Sequence, residues 1–205
     1  MLHQYVVIGF LNLLAAMSPG PDFAIVTRNA LLSHRHGIMT ALGIALGVVI
    51  HVLVCSTALS LIQSKPVLFV LHMLGGVYLI YLGWTSIQLR LMQSFGSVKE
   101  PTEKKYFIAW LEGFLTNISN PKCALFFISI FTTTFHQTIS WYVTTVLATE
   151  LFLIIFAWFA LLSFGINQAF FHSLLIRFQW LLMKILGVFL LLLGFYFWAS
   201  VFFSQ

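Results

Sequence analysis

Ser18-Pro19-Gly20-Pro21-Asp22 interrupts an otherwise apolar N-terminal run. The two prolines remove two backbone donors and clash with the preceding turn. We therefore expect a helix that enters from Gln4 to end near Met17. A second helix should begin at Pro21, because proline suits the first helical position. Asp22 then lies in the first turn of this second helix, where the helix dipole favours negative charge. An acidic residue at a helix break within an apolar segment costs free energy unless it lines a cavity, so we expect a cavity here.

The composition of the whole chain is that of a membrane protein. Hydrophobic residues make up 60% of it, charged residues only 7%, and the mean hydropathy is +1.00. Soluble proteins carry roughly 25% charged residues, so a soluble domain is excluded. Segments of about 20 apolar residues can each span a bilayer, and six can be placed, at 4–26, 38–62, 66–89, 107–131, 139–163 and 178–203. We expect an all-α polytopic membrane protein with a single transmembrane domain over residues 1–205.

The basic residues are distributed unevenly between the two sides of these spans. Eight fall on one side: Arg28, Arg35, Arg90, Lys99, Lys104, Lys105, Arg177 and Lys184. Only Lys65 falls on the other side, and Lys122 lies within a span. The positive-inside rule therefore predicts that both termini are periplasmic and that the loop 91–106 is cytoplasmic. The first span is expected to be retained, since no basic residue precedes it as in a signal peptide. The net charge of +5 then reflects topology, and we expect no nucleic-acid partner.

The two halves of the chain resemble each other. Gly9-Phe10-Leu11 precedes the first break, and Gly113-Phe114-Leu115 precedes a second break at Asn120-Pro121. Two glycines seven residues apart also recur, as Gly76 and Gly83 and as Gly187 and Gly194.

The matches define a repeat over residues 1–90 and another over residues 107–205. Because each repeat has three spans, the second copy must run upside down. Inverted repeats with broken helices in corresponding places, here spans one and four, indicate a secondary-transporter site.

The second break predicts the other half of that site. Asn120 is a preferred N-cap, Pro121 suits the first helical position, and Lys122 follows. By the repeat, this helix start would face the one that carries Asp22, and the site between them would suit a zwitterionic substrate. Its ammonium group would bind Asp22, and its carboxylate would bind Lys122 and the amides near Asn120. The backbone at the two helix breaks would form the rest of this substrate site, through Pro19, Gly20, Pro21 and Pro121. The alternative is that Asp22 and Lys122 neutralise each other in a closed core.

Two further residues are candidates for proton coupling. Glu150 lies near the centre of span five beside Thr145 and Thr149, with no partner nearby in sequence, so it could carry a proton or hold helices together as a neutral acid. His51 ends a stripe of small residues in span two that includes Gly43 and Gly47. The glycines, together with those of the repeat, are expected to pack helices closely. His51 is either a packed, satisfied histidine or a proton carrier.

Enzymatic and metal sites find little support in the sequence. No nucleophile elbow, His-Glu-x-x-His motif or phosphate-binding glycine loop is present, so no enzyme and no cofactor are predicted. His34-Arg35-His36 is expected in a short loop without carboxylates or thiols, which makes a poor metal site. Glu112 is expected to be interfacial.

Four stretches taken together are typical of one transporter family. They are Ser18-Pro19-Gly20-Pro21-Asp22, the glycines Gly37, Gly43 and Gly47, residues 76–84, and Asn120-Pro121-Lys122 followed by Phe126-Phe127. On these motifs the chain resembles the LysE/RhtB family of amino-acid exporters over nearly its whole length. The resemblance implies a proton antiporter in the bacterial inner membrane. Its substrates would be amino acids or derivatives such as homoserine, threonine, lysine or homoserine lactone, and a homodimer is one arrangement open to it. A divalent-metal exporter of the same superfamily and a non-transporting membrane scaffold are the alternatives.

Overall fold

The computed structural model describes residues 2–18, 20–61, 65–88, 105–135, 139–166, 168, 181, 184–185, 187–196 and 198–199. Within these ranges the chain is all helical. The helices are α1 (Leu2–Met17), α2 (Pro21–Leu32), α3 (His34–Leu61), α4 (Lys65–Gln88), α5 (Tyr106–Ile118), α6 (Pro121–Thr134), α7 (Trp141–Gly165) and α8 (Gly187–Tyr196). The predicted cytoplasmic loop 91–106 lies outside the described residues as far as residue 104.

Two of these helices, α3 and α7, are long and apolar enough to cross a membrane singly. The pair α1 and α2 bends by 61°, and the pair α5 and α6 bends by 53°. If each bent pair is one broken span, the described residues supply four spans. The prediction of an all-α membrane protein is confirmed, and the arrangement as six spans stays a prediction.

The break between α1 and α2 falls where the proline pattern predicts it. The first helix ends at Met17 and the second begins at Pro21, which donates no backbone hydrogen bond. Gly20 precedes it in a fully extended conformation and offers no side chain to cap the helix. Pro19 lies outside the described residues. Asp22 is therefore in the first turn of α2 beside uncapped amides.

The break between α5 and α6 is closed by a side chain. Asn120 is the N-cap of α6, and its Oδ1 accepts a hydrogen bond from the backbone N–H of Lys122 at 3.0 Å. Pro121 occupies the first helical position. The expected helix start is thus formed, and one of its amides is already satisfied by Asn120.

One boundary differs from the sequence prediction. Span two was expected at 38–62 with His34-Arg35-His36 in a loop, but α3 begins at His34. The cause is Ser33, whose Oγ accepts a hydrogen bond from the backbone N–H of His36 at 3.3 Å and acts as an N-cap. The prediction that these three residues form a loop is therefore wrong, and they make the first turn of a helix.

Helix α3 is central and packs against α2, α5, α6 and α7. Its contact with α5 depends on glycines. A β-carbon at Gly43 would overlap the backbone of Trp110 and Phe114, and one at Gly113 would overlap the carbonyl of Thr40. Backbones that approach this closely are typical of helices packed in lipid, where small residues line the contact.

Helices α4 and α8 approach through the predicted glycines. A β-carbon on Gly76 would lie 3.3 Å from the carbonyl oxygen of Gly194, and one on Gly83 would lie 2.7 Å from that of Gly187. Conversely, a β-carbon on Gly194 would lie 2.9 Å from the carbonyl oxygen of Gly76, and one on Gly187 would lie 2.7 Å from that of Gly83. The four glycines therefore face one another across a single helix crossing.

Candidate functional site

A cavity lies between the two helix breaks. It encloses about 460 Å³ of space free of atoms, including its open mouth. The described lining combines apolar walls with a few polar groups: Asn12, Ala15, Ala16, Ser18, Gly20, Asp22, Phe23, Ile44, Val48, Asn117, Asn120, Lys122, Cys123, Phe126, Phe127, Ile155 and Phe159. Apolar walls with few convergent polar groups are the usual composition of a small-molecule site.

The carboxylate of Asp22 is held by neutral donors. Asn117 Nδ2 donates to Oδ2 at 2.7 Å, Asn120 Nδ2 donates to Oδ1 at 3.3 Å, and the Cys123 thiol donates to Oδ2 at 3.3 Å. None of these partners carries a positive charge. Asp22 is therefore fixed in orientation, while no described residue is a directly bonded counter-ion to its negative charge.

The ammonium group of Lys122 is also held by neutral groups, which belong to the end of α1. Its Nζ donates to the carbonyl oxygen of Ala15 at 3.2 Å and to Ser18 Oγ. Both acceptors are at the C-terminal end of α1, where free carbonyls concentrate negative partial charge. An ammonium group has three donors, so among the described residues one donor of Lys122 is left without an acceptor beside the cavity.

The two predicted charges line one cavity without forming an ion pair. Every bond found for Asp22 leads to Asn117, Asn120 or Cys123, and Lys122 Nζ binds the end of α1. No direct hydrogen bond joins the two side chains, and the alternative in which they neutralise each other in a closed core stays a prediction. Two half-buried and separately held opposite charges are left facing a shared space.

Asn117 is a site residue that the sequence analysis missed. It is 1% exposed, and it binds Asp22 from α5 through its side chain. Two residues of α3 hold it: a β-carbon at Gly47 would lie 2.5 Å from its Oδ1, and His51 Nε2 lies 3.1 Å from its backbone oxygen. The carbonyl can only accept, so Nε2 carries the hydrogen of this bond. The signal available in the sequence was its position three residues before the Asn120 cap.

His51 occupies the place expected of a packed histidine. Its side chain is 8% exposed, and its ring stacks on Phe127 with centroids 5.7 Å apart. Together with the bond to Asn117, this describes a satisfied side chain that supports the second break. Its role in proton coupling stays a prediction.

Glu150 lies outside the cavity, on the face of α7 that packs against α1. A β-carbon at Gly9 would be 2.8 Å from Glu150 Oε1 and 2.9 Å from Ile154 Cδ1. Glu150 Oε2 is buried and has no hydrogen-bond partner among the described residues. Neighbouring Thr149 bonds instead to its own helix, at the carbonyl of Thr145. Ile155, five residues further along α7, does line the cavity.

A second polar cluster joins α2, α3 and α5. Arg28 Nη2 and Asn29 Nδ2 donate to Glu112 Oε2 at 2.7 and 3.0 Å, and Asn29 Nδ2 also lies 2.8 Å from Thr40 Oγ1. Glu112 was expected to be merely interfacial, but it binds residues 83 and 84 positions away. Sequence reasoning had no means of joining them across that separation.

The histidines at the start of α3 are used in packing. His34 stacks on Phe164, and His36 bonds Ser33 Oγ through Nδ1 and contacts the ring of Tyr106. Among the described residues no group of three His, Cys, Asp or Glu side chains could hold a metal ion. These positions therefore lend no support to a metal site.

An apolar all-helical chain with two broken helices around a charged cavity is an integral membrane protein of the transporter class. The chain belongs to the LysE type translocator family, whose model matches residues 13–200. The predicted family is thereby confirmed, and it is a family of translocators rather than of enzymes.

Several curated proteins are similar to the chain. The threonine efflux protein of Escherichia coli (strain K12) is 34% identical over 136 residues, which are 64% of this chain and 66% of the relative. The uncharacterized membrane protein YahN of the same organism is 28% identical over 141 residues, 67% of this chain and 63% of the relative. The matched stretch thus spans less than two thirds of the length of either relative. No solved structure matches the chain.

Proposed function

We propose that the protein is a secondary transporter that exports zwitterionic amino acids or their derivatives from the cytoplasm. The observation that carries the proposal is the pair Asp22 and Lys122, which line one cavity, each held by neutral partners. The similarity to the threonine efflux protein of Escherichia coli makes threonine the first substrate to test. Homoserine comes next, from the family resemblance. Lysine and homoserine lactone follow from the wider family resemblance.

Binding would complete charges that the protein leaves uncompensated. An α-ammonium group beside Asp22 would supply the positive charge that Asn117, Asn120 and Cys123 lack. A carboxylate near Lys122 would accept from the third donor of its ammonium group. Asn120 contributes by fixing the start of α6 and by binding Asp22 directly. In a cavity with apolar walls such charge-assisted bonds are strong, because water is displaced.

Outward transport would be coupled to inward proton movement through Glu150. Its Oε2 atom is buried against α1 with no partner among the described residues, which favours a carboxyl group that binds and releases a proton. Ile155, five residues further along α7, lines the cavity, so a shift of α7 against α1 would move the cavity wall and reach the substrate. His51 is the second candidate for the proton path.

The fold proposed is two inverted three-helix repeats, 1–90 and 107–205, that together form one transmembrane domain of six spans. The glycine crossing of α4 and α8 supports it. The repeat pairs Gly76 with Gly187 and Gly83 with Gly194, and the contacts join Gly76 to Gly194 and Gly83 to Gly187. This reciprocal exchange is the pattern expected across a two-fold axis.

The first helices of the two repeats give a second reciprocal contact. Gly9 of α1 packs against α7 at Glu150, and its counterpart Gly113 of α5 packs against α3 at Thr40. Each glycine thus contacts the second span of the opposite repeat.

The protein is proposed to lie in the bacterial inner membrane with both termini periplasmic, as the basic residues predict. A homodimer is included in the proposal, and light scattering of the protein in detergent tests it. The scaffold alternative requires packed breaks without a cavity between Asp22 and Lys122, which the lining of the cavity opposes.

Transport by Asp22→Asn tests the proposal. Inverted membrane vesicles would be loaded with a panel of radiolabelled amino acids under an imposed proton gradient, with insertion checked by immunoblot. We expect wild-type accumulation of at least one amino acid and loss of it in Asp22→Asn. Wild-type rates in the variant would remove the ammonium role of Asp22, and accumulation of no amino acid by the wild type would overturn the proposed function.

The two cysteines supply a binding assay with an internal control. Cys123 lines the cavity, whereas Cys55 is buried beside α6 in an apolar groove. In single-cysteine variants a transported amino acid should slow the alkylation of Cys123 and leave that of Cys55 unchanged. Equal protection of both thiols would indicate a general conformational effect instead of occupancy of the cavity.

A further inference from the structure

Asn12 on α1 is a buried amide that the cavity leaves unsatisfied. Its side chain is 4% exposed and lines the cavity, yet its Nδ2 has no hydrogen-bond partner among the described residues. A buried donor without a partner costs about 1–3 kcal/mol. An apolar residue of similar shape would avoid that cost, so the Nδ2 donor makes no stabilising bond with the described residues.

The position of Asn12 relates it to Lys122. Asn12 and Ala15 are three residues apart, so they lie on one face of α1, one turn from each other. The carbonyl of Ala15 is where Lys122 Nζ binds. The free donor of Asn12 and the remaining donor of Lys122 therefore flank the same part of the cavity. Asp22 is fixed on the far side of the α1–α2 break by α5 and α6.

We propose that Asn12 is a specificity-determining residue whose Nδ2 donates to the carboxylate of the substrate, alongside Lys122. The proposal rests on the proposed function and refines it, because it assigns the two ends of the zwitterion to different groups of the cavity lining. The only charged side chains in the described lining are Asp22 and Lys122, which cancel. The cavity is thus matched to a substrate that is neutral overall and carries a free carboxylate.

Asn12→Leu, which keeps the size but removes the donor, tests the assignment. Transport of whichever amino acid the wild type exports, with L-threonine tried first, would be measured in inverted vesicles. We expect KM to rise about 10- to 100-fold with protein levels unchanged, since a bond to a charged group is lost. Thr27→Val is the matched control, because Thr27 Oγ1 is also buried without a described partner but does not line the cavity. It should transport as the wild type does.

A charge variant provides the second readout. Asn12→Asp would place a carboxylate where the substrate carboxylate binds, so it should reject L-threonine and favour L-threoninamide as a competitor. A merely structural effect would change competition by both compounds equally, and that result would overturn the assignment, as would an unchanged KM in Asn12→Leu. If the wild type transports no amino acid, the proposed function fails, whereas normal transport by Asn12→Leu refutes only the role of Asn12.

Discussion

Asn117 Nδ2 donates a hydrogen bond to Asp22 Oδ2 at 2.7 Å across 95 residues of sequence. The bond joins the end of α5 to the first turn of α2, and so joins the two breaks. Since a carboxylate only accepts, the amide must present its Nδ2 to Asp22 and turn its Oδ1 away. That oxygen lies against Gly47, where a β-carbon would approach within 2.5 Å. The absence of a side chain at Gly47 thus leaves room for the orientation of Asn117 that binds Asp22.

Asn117→Leu should reduce transport by about 10- to 100-fold, because a bond to a charged group is worth about 1.5–3 kcal/mol. The variant removes the donor to Asp22 and leaves both charged residues in place. Initial rates in inverted vesicles check this, with protein levels measured in parallel. Unchanged rates would show that Asn120 and Cys123 hold Asp22 sufficiently.

Gly47→Ala should have an effect in the same direction, since its methyl group displaces the Asn117 side chain. In an Asn117→Ala background the same change should cost less, because the clash with the side-chain oxygen is gone. The double-mutant cycle measures this difference. Additive effects would mean that Gly47 acts on packing alone and not through Asn117.

Lys122→Met should abolish transport and also lower thermal stability, because it removes a charge from the cavity and a clamp from the end of α1. Ser18→Ala separates the two effects. It removes one acceptor of Lys122 Nζ but keeps the carbonyl of Ala15 and the charge itself. We expect Ser18→Ala to lower stability and to retain transport within a few-fold, as measured by thermal unfolding in detergent and vesicle uptake.

Exchange of the two charges gives a further test. Asp22 and Lys122 bind different neutral groups, so Asp22→Lys combined with Lys122→Asp should place each charge among the wrong partners. We expect the double variant to be inactive. Recovery of transport would favour a direct ion pair in the working cycle.

The sequence predicted the features that local chemistry controls. Prolines and caps determine where helices stop and start, so the breaks at Met17 and Pro21 and at Asn120 followed from residue types alone. The start of α3 was missed because Ser33 was not recognised as a cap.

Contacts between distant helices could not be predicted in this way. The partners Asn117 for Asp22 and Glu112 for Arg28 depend on how α2 and α5 rotate against each other. Gly43 and Gly113 meet backbone atoms across the α3–α5 contact and so set how α5 lies against α3, on which α2 also packs. Periodicity identifies a stripe of small residues but does not identify its partner.

The glycine crossing of α4 and α8 predicts a graded effect on stability. A β-carbon at Gly83 would lie 2.7 Å from backbone atoms of α8, whereas one at Gly76 would lie 3.3 Å from the nearest atom. Backbone atoms cannot move aside as a side chain can. We expect Gly83→Ala to destabilise the protein by about 1–3 kcal/mol and Gly76→Ala to cost less, as measured by unfolding in detergent. Equal stability of the two variants would contradict this crossing.

Glu150→Gln should separate substrate binding from proton coupling. Glutamine keeps the size of the side chain but cannot exchange a proton, and Glu150 does not line the described cavity. We therefore expect protection of Cys123 by substrate to persist, while accumulation driven by a pH gradient is lost. Substrate exchange without a gradient should continue. Gly9→Ala places a methyl group against Glu150 Oε1 and should block movement of α7 past α1. We therefore expect it to slow both gradient-driven accumulation and substrate exchange. Accumulation by Glu150→Gln at the wild-type rate would exclude Glu150 from coupling and leave His51 as the remaining candidate.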